Sequence, residues 1–203
     1  MDLFDLRMIG RHVCLRLLTA EDAPAFLDYL LRNKHYHDPY MPHRPSDSFT
    51  LENVRRLTDQ RQRVGSDQEY AFAVIDNESE RLVGKVKLSG IIRGSFHSAN
   101  LSYDIDEAFS SRGYVTEAVK MLISFAYSGL ALHRIQAAIM PRNLPSQRVV
   151  EKAGFVREGY SQHYIQINGI WEDHITYAIT KERYDRLPAY QKEQGLIAWI
   201  TET

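Results

Sequence analysis

Hydrophobic and polar positions along the chain repeat every two residues in some stretches and every three to four in others. Val13, Leu15 and Leu17 alternate with polar neighbours and predict a first strand over His12–Leu17, with Cys14 read as a small buried residue in it. Thr19 offers a helix N-cap, and Ala23, Phe26, Leu27, Leu30 and Leu31 then make one apolar helical face. Asn33–Phe49, rich in His, Pro, Tyr and Asp, reads as a loop. A second helix is expected over Leu51–Val64, ended by Gly65–Ser66. Strands follow at Tyr70–Ile75, Leu82–Ile92 and Phe96–Ile105. Apolar spacing from Val115 through Ala118, Val119, Leu122, Ile123 and Ala126 predicts a helix, and Leu132–Ile139 another strand. A helix starting near Asn143 runs to Gly154–Phe155. Tyr160–Ile167 and Trp171–Ile179 then flank Asn168–Gly169, a hairpin turn signal. The order β-α-α-β-β-β-α-β-α-β-β predicts an α+β fold with a mixed, mostly antiparallel twisted sheet flanked by helices.

The most informative stretch is Ser110–Ala118, a polar turn with one glycine that leads from a strand into a helix. The first N–H groups of a helix lack internal partners, and with the helix dipole they form an anion site suited to phosphate. Arg112 adds a permanent positive charge beside it. Asn143 and Ser146 bracket the start of the next helix, with Pro145 near its first turn. Either one caps that helix or has a chemical task. Glu117, in the first turn after Gly113, is explained by the dipole alone.

Five strings in order carry a family resemblance: Ile92–His97, His133–Ile135, Met140–Asn143, Gly154–Gly159 and Asn168–His174. With the glycine turn, they resemble the GNAT acetyltransferases, and within them the ribosomal-protein N-alpha-acetyltransferases acting on N-terminal alanine or serine. The likeness runs from about Val13 to Thr180, so residues 1–180 are expected to form the acetyltransferase domain and 181–203 an extension. Leu196, Ile197, Trp199 and Ile200 in that extension imply packing on the domain or at a dimer contact. The family's turn pattern is broken by Ser110 and Val115, and its usual acid tyrosine is replaced by Val150. These departures leave open a CoA-binding module without turnover.

The resemblance implies an enzyme using acetyl-CoA, without a metal, to acetylate the N-terminal α-amine of a protein, such as a ribosomal protein. A small amine such as a polyamine, an antibiotic or an amino-acid conjugate is the alternative acceptor. It implies Tyr103, Asp104, Ile105, Ser111, Arg112, Gly113, Tyr114, Val115, Thr116, Asn143 and Ser146 as the cofactor site. Ser146 would be the acid toward the thiolate and Glu107 the base, while a solvated loop carboxylate remains the other reading of Glu107. The acceptor groove is expected from Tyr36 and Tyr40, from Arg93, Phe96 and His97, and from Tyr164 and Trp171.

Composition narrows the classes. A formal net charge of −1 argues against a broad nucleic-acid-binding surface. The single cysteine precludes an intrachain disulfide, and no apolar run reaches membrane-spanning length, so a cytoplasmic monomer or homodimer is expected. His35, His37 and His43 lack a nearby fourth ligand and are read as loop residues, not a metal site.

Overall fold

The computed structural model describes residues 2–188 and the backbone of residues 196–199. Strand β3 (Glu69–Asp76) explains the layering. Tyr70, Phe72 and Val74 point to one face, Ala71 and Ala73 to the other, and all five are buried. A strand buried on both faces needs helices above and below it.

In chain order, β1 (Leu6–Ile9) and β2 (Val13–Leu17) lead into α1 (Ala23–Arg32). Short helical segments α2 (Lys34–His37), α3 (Leu51–Thr58) and α4 (Arg61–Gly65) precede β3. Then come β4 (Leu82–Ile92), β5 (Ser98–Ile105), α5 (Tyr114–Ser128), β6 (Arg134–Ile139) and α6 (Leu144–Lys152). The chain continues with β7 (Val156–Ile167), β8 (Ile170–Thr180), α7 (Lys181–Arg186) and β9 (Leu196–Trp199). The strands form one sheet in the order β7-β8-β6-β5-β4-β3-β2-β1-β9. Its pairings are antiparallel except for β5–β6, which α5 connects in parallel.

Phe72, Leu88 and Ile135 pack under α5 residues Leu122, Ile123 and Phe125 on one face. On the other, Phe26, Tyr29 and Leu30 of α1 and Val54 of α3 cover Ala71 and Ala73. The small alanines let the helices approach closely there.

Four expectations change. A strand precedes the predicted first one, because Leu6 and Met8 alternate inward and pair against β2. The helix expected over Leu51–Val64 breaks at Asp59, whose carboxylate accepts from the Arg61 N–H and starts a new turn. The loop after Asn33 contains α2 and two 3-10 turns, Asp38–Tyr40 and Ser46–Phe49. Cys14 is half-buried, on the opposite strand face from the buried Val13 and Leu15. In the extension, β9 pairs antiparallel with β1; the side chains of Leu196, Ile197 and Trp199, and all of Ile200, lie outside the described residues.

Candidate active site

The site originates where the sheet comes apart. β5 and β6 pair only at Ser98, Ala99 and Asn100 with Arg134, Ile135 and Gln136. Beyond that point Leu101–Ile105 and Ala137–Met140 diverge and line opposite walls of a cleft of ≈740 Å³. Alternation along the two strands gives the cleft two sides. Leu101, Tyr103, Ile105, Ala137 and Ile139 face α5 and α6, whereas Ser102, Asp104 and Ala138 face the α1 side, with Lys85 and Lys87.

The α5 side is built for an anion. Ser111 and Gly113 both have positive φ (59° and 85°), which turns successive N–H groups toward a common point before α5 begins. Among the described residues, no backbone carbonyl accepts from the N–H groups of Ser111 to Thr116; the helix ladder starts with Glu117 N–H on Gly113 O. A Cβ placed on Gly113 would meet no atom within 4 Å, so the space over the turn is open. Ser111, Gly113, Val115 and Thr116 line the cleft, as do the α6 cations Arg148 and Lys152. Arg112 and Tyr114 do not. Arg112 stacks over Phe109, 5.2 Å from the ring centroid, and Tyr114 stacks on His12.

At the centre, Asn143 caps α6, its Oδ1 accepting the Ser146 N–H at 3.2 Å. That leaves the Ser146 hydroxyl available, and it lies 2.8 Å from the Tyr103 hydroxyl. Burial, partly offset by the bond to Ser146, holds the Tyr103 phenol well above its usual range. Val150, where the resemblance places an acid tyrosine, is fully buried in the core.

On the α1 side, Asp104 is buried and accepts from the Tyr29 hydroxyl at 2.6 Å, with Lys85 Nζ at 3.1 Å. Burial pushes its carboxyl up, but Lys85, His37 and the two hydrogen bonds outweigh that and hold it below the usual range. Lys87 pairs with Glu69 at 3.0 Å. Tyr36, Tyr40, Met41 and Pro42 close this side. Their loop is tied to neighbouring elements, since Asn168 Nδ2 donates to Asp38 O and Arg142 donates to Pro39 O while pairing with Glu172.

Several expected residues fall elsewhere. Glu107 does not line the cleft; it is exposed and lies 2.9 Å from the exposed His35. The β4–β5 turn holding Arg93, Phe96 and His97 sits at the closed end of β5, where β5 and β6 still pair, so it cannot wall the opening. Arg93 instead holds Asp67 and the Leu130 carbonyl, Phe96 is exposed, and the His97 carbonyl receives the His133 and Arg134 N–H groups. Tyr164 reaches the site only through His174, with the ring centroids 5.6 Å apart, and Trp171 is exposed outside the cleft. Lys85, Lys87 and His174 also line the cleft, although the sequence alone assigns them no site role. Each alternates with core residues (Val86, Leu88, Ile175) on a strand next to the divergence, and that is the signal that could have found them.

The profile of the acetyltransferase (GNAT) domain matches residues 12–156. The chain belongs to the GNAT acetyltransferase family. It is 40% identical over 171 residues to a probable N-acetyltransferase, YjcK, of Bacillus subtilis, covering 84% of this chain and 94% of that one. The solved ribosomal-protein-S5-alanine acetyltransferase of Vibrio fischeri shares 32% identity and superposes with a TM-score of 0.82, covering 88% and 98% of the two chains. Mycobacterium smegmatis RimJ, solved with a CoA disulfide, has the same fold, with a TM-score of 0.86, 24% identity and 93% of each chain covered. This GNAT protein is therefore an N-acetyltransferase, an acyl-transfer enzyme of a family that uses acetyl-CoA. Its anion turn, the open space over Gly113 and the cations of α6 fit that cofactor's phosphates. Among the described residues there is no metal-ligand cluster and no helix long and apolar enough to cross a membrane.

Proposed function

We propose that this N-acetyltransferase moves the acetyl group directly to the N-terminal α-amine of a polypeptide, with ribosomal proteins as the favoured class. When bound, acetyl-CoA supplies an activated thioester. The turn from Ser111 to Thr116 would hold its phosphates, and the unpaired edge of β5 beyond Asn100 its amide-bearing arm. Ser146, held by Tyr103, would give a proton to the departing sulfur.

The observation that carries the acceptor class is the charge of the cleft. Arg148 and Lys152 belong to the phosphate side, and on the acceptor side Lys85 and Lys87 are paired with Asp104 and Glu69. Asp104, the one carboxylate lining the cleft among the described residues, is thus engaged, and no free carboxylate there receives the several ammonium groups of a polyamine. A polyamine or aminoglycoside would bring several positive charges into this surface, whereas a peptide brings one ammonium group on an otherwise adaptable chain. The likeness to an S5-alanine acetyltransferase supports the same choice.

The test is a thiol-release assay. Peptides beginning with Ala or Ser should be turned over, and the same peptides with blocked termini should not. A far higher kcat/KM for spermidine or an aminoglycoside than for any such peptide overturns the proposal in favour of a small-amine acceptor.

A further inference from the structure

We infer that His174 is the catalytic base that takes the proton from the acceptor ammonium, an assignment that rests on the direct-transfer reading above. His174 lies one residue beyond the last β6–β8 pair, Ile139–Ile175, where β8 passes the mouth of the cleft. Ile175 points into the core under α6, so the alternation of β8 turns His174 to the α1 side, opposite Ser146. Acid and base therefore stand on the two faces of the parted sheet, where the thioester would lie between them.

The ring is held in a useful orientation. Nδ1 lies 3.0 Å from the Glu172 carbonyl oxygen. A carbonyl can only accept, so Nδ1 carries the hydrogen, and in the neutral tautomer this bond selects, Nε2 holds the lone pair. Nε2 has no hydrogen-bond partner among the described residues, and Tyr164 packs against the ring. Other groups are less suited. Asp104 is engaged by Tyr29 and Lys85, His37 Nε2 donates to Ile105 O, and Glu107 stands outside the cleft.

The charged and titratable surroundings are known from each side. On β7 these are Tyr164 and His163; on β8 they are Asp173, bonded to Tyr160, and Glu172, paired with Arg142. Across the cleft stand His37, Arg44, Lys85, Lys87 and Asp104.

Two protons must leave the ammonium nitrogen during the reaction. The first passes to Nε2 of His174 and on to solvent, freeing the lone pair that forms the N–C bond with the thioester carbonyl carbon. The second leaves the nitrogen as the carbonyl re-forms and the C–S bond breaks. It passes through solvent to Ser146, restoring the proton that the sulfur, departing with the bonding pair, takes from that hydroxyl. The sum is ammonium plus acetyl-CoA giving amide, CoA thiol and one proton.

The experiment measures kcat and kcat/KM against pH with an Ala-initiated peptide, for the wild type, His174→Asn and His174→Gln. Asn retains a donor for the Glu172 carbonyl, and Gln retains a polar group near the Nε2 position. Both variants should keep the rise in Tm that CoA produces, lose about a hundredfold to ten-thousandfold in kcat, and recover in part with added imidazole. Their residual rate should climb with pH without the wild-type plateau, because only free amine then reacts. Variant profiles matching the wild type, or loss of the acid limb in Glu107→Gln instead, overturn the assignment. A wild-type profile without an acid limb overturns it with no variant needed. Failure of the wild type to acetylate any peptide α-amine overturns the acceptor reading instead.

Discussion

The Tyr103 hydroxyl donates to the main-chain carbonyl of Ser146 at 2.8 Å and lies the same distance from the Ser146 side-chain oxygen. With the phenolic proton on the carbonyl, the Tyr103 oxygen accepts from Ser146 Oγ–H at rest, and the serine hydroxyl would turn from it to give that proton to the departing sulfur. The two hydroxyls thus form a short chain that opens into the cleft. Because burial holds the Tyr103 phenol up, it stays protonated throughout ordinary assay conditions.

Ser146→Ala is expected to lower kcat by about a hundredfold to ten-thousandfold with little change in acetyl-CoA affinity. Tyr103→Phe, which removes only the partner, should give a smaller loss in kcat. Steady-state kinetics beside a titration of CoA binding checks both. Equal losses in affinity and turnover would make the pair a binding feature.

Asn143→Ala should cost about 1 kcal/mol of stability through loss of the α6 cap, read by denaturant unfolding. The capping bond belongs to Asn143, so Ser146→Ala should change stability less than Asn143→Ala does.

Gly113→Ala should destabilise the fold by about 1–2 kcal/mol, because an L side chain at φ +85° is strained even in open space. Gly113→Asn should lose less, since Asn tolerates that region better. Thermal melts with and without CoA separate the backbone cost from the loss of phosphate contacts.

Asp104→Asn should narrow the acid side of the stability profile. Burial pushes the folded carboxyl up, but Lys85, His37 and two hydrogen bonds outweigh it and hold it below the usual carboxylate range. A depressed folded pKa gives stability that is present above the unfolded value and disappears as pH falls through the folded one. The Tm gap between wild type and variant should therefore be full near neutrality and close below about pH 4. A gap that stays constant down to strongly acidic pH would contradict this.

Glu117→Ala is expected to cost about 1 kcal/mol by removing the acceptor of a part-buried donor. Glu117 is buried and its carboxylate accepts the His12 N–H at 2.9 Å, tying the start of α5 to the turn between β1 and β2. Urea unfolding measures this, and a neutral result would return Glu117 to the dipole role expected from its position alone.

Much of the fold was legible because periodicity is a local property. The Phe72 and Val74 alternation, the α5 stripe and the Asn168–Gly169 turn each read correctly without knowledge of distant residues. The break at Asp59 was missed because a side-chain cap can end a helix without glycine or proline. The anion turn was readable from Gly113, whose role depends on backbone geometry. Glu107 and Phe96 were misplaced for a different reason. Their nearness to the cleft depends on where β5 and β6 stop pairing, which no spacing within either strand records. The bond between Tyr103 and Ser146 is not legible in the sequence, because the two lie 43 positions apart.

The divergence of β5 from β6 makes a doorway through a wall rather than a hollow in its surface. Each reactant can enter from its own side without passing the other, and each product can leave the way its precursor came. Steric order is then not imposed on binding, and because both reactants are held at once, initial-rate lines drawn at several fixed concentrations of either should intersect. The thiol can also depart while the acetylated chain is still held.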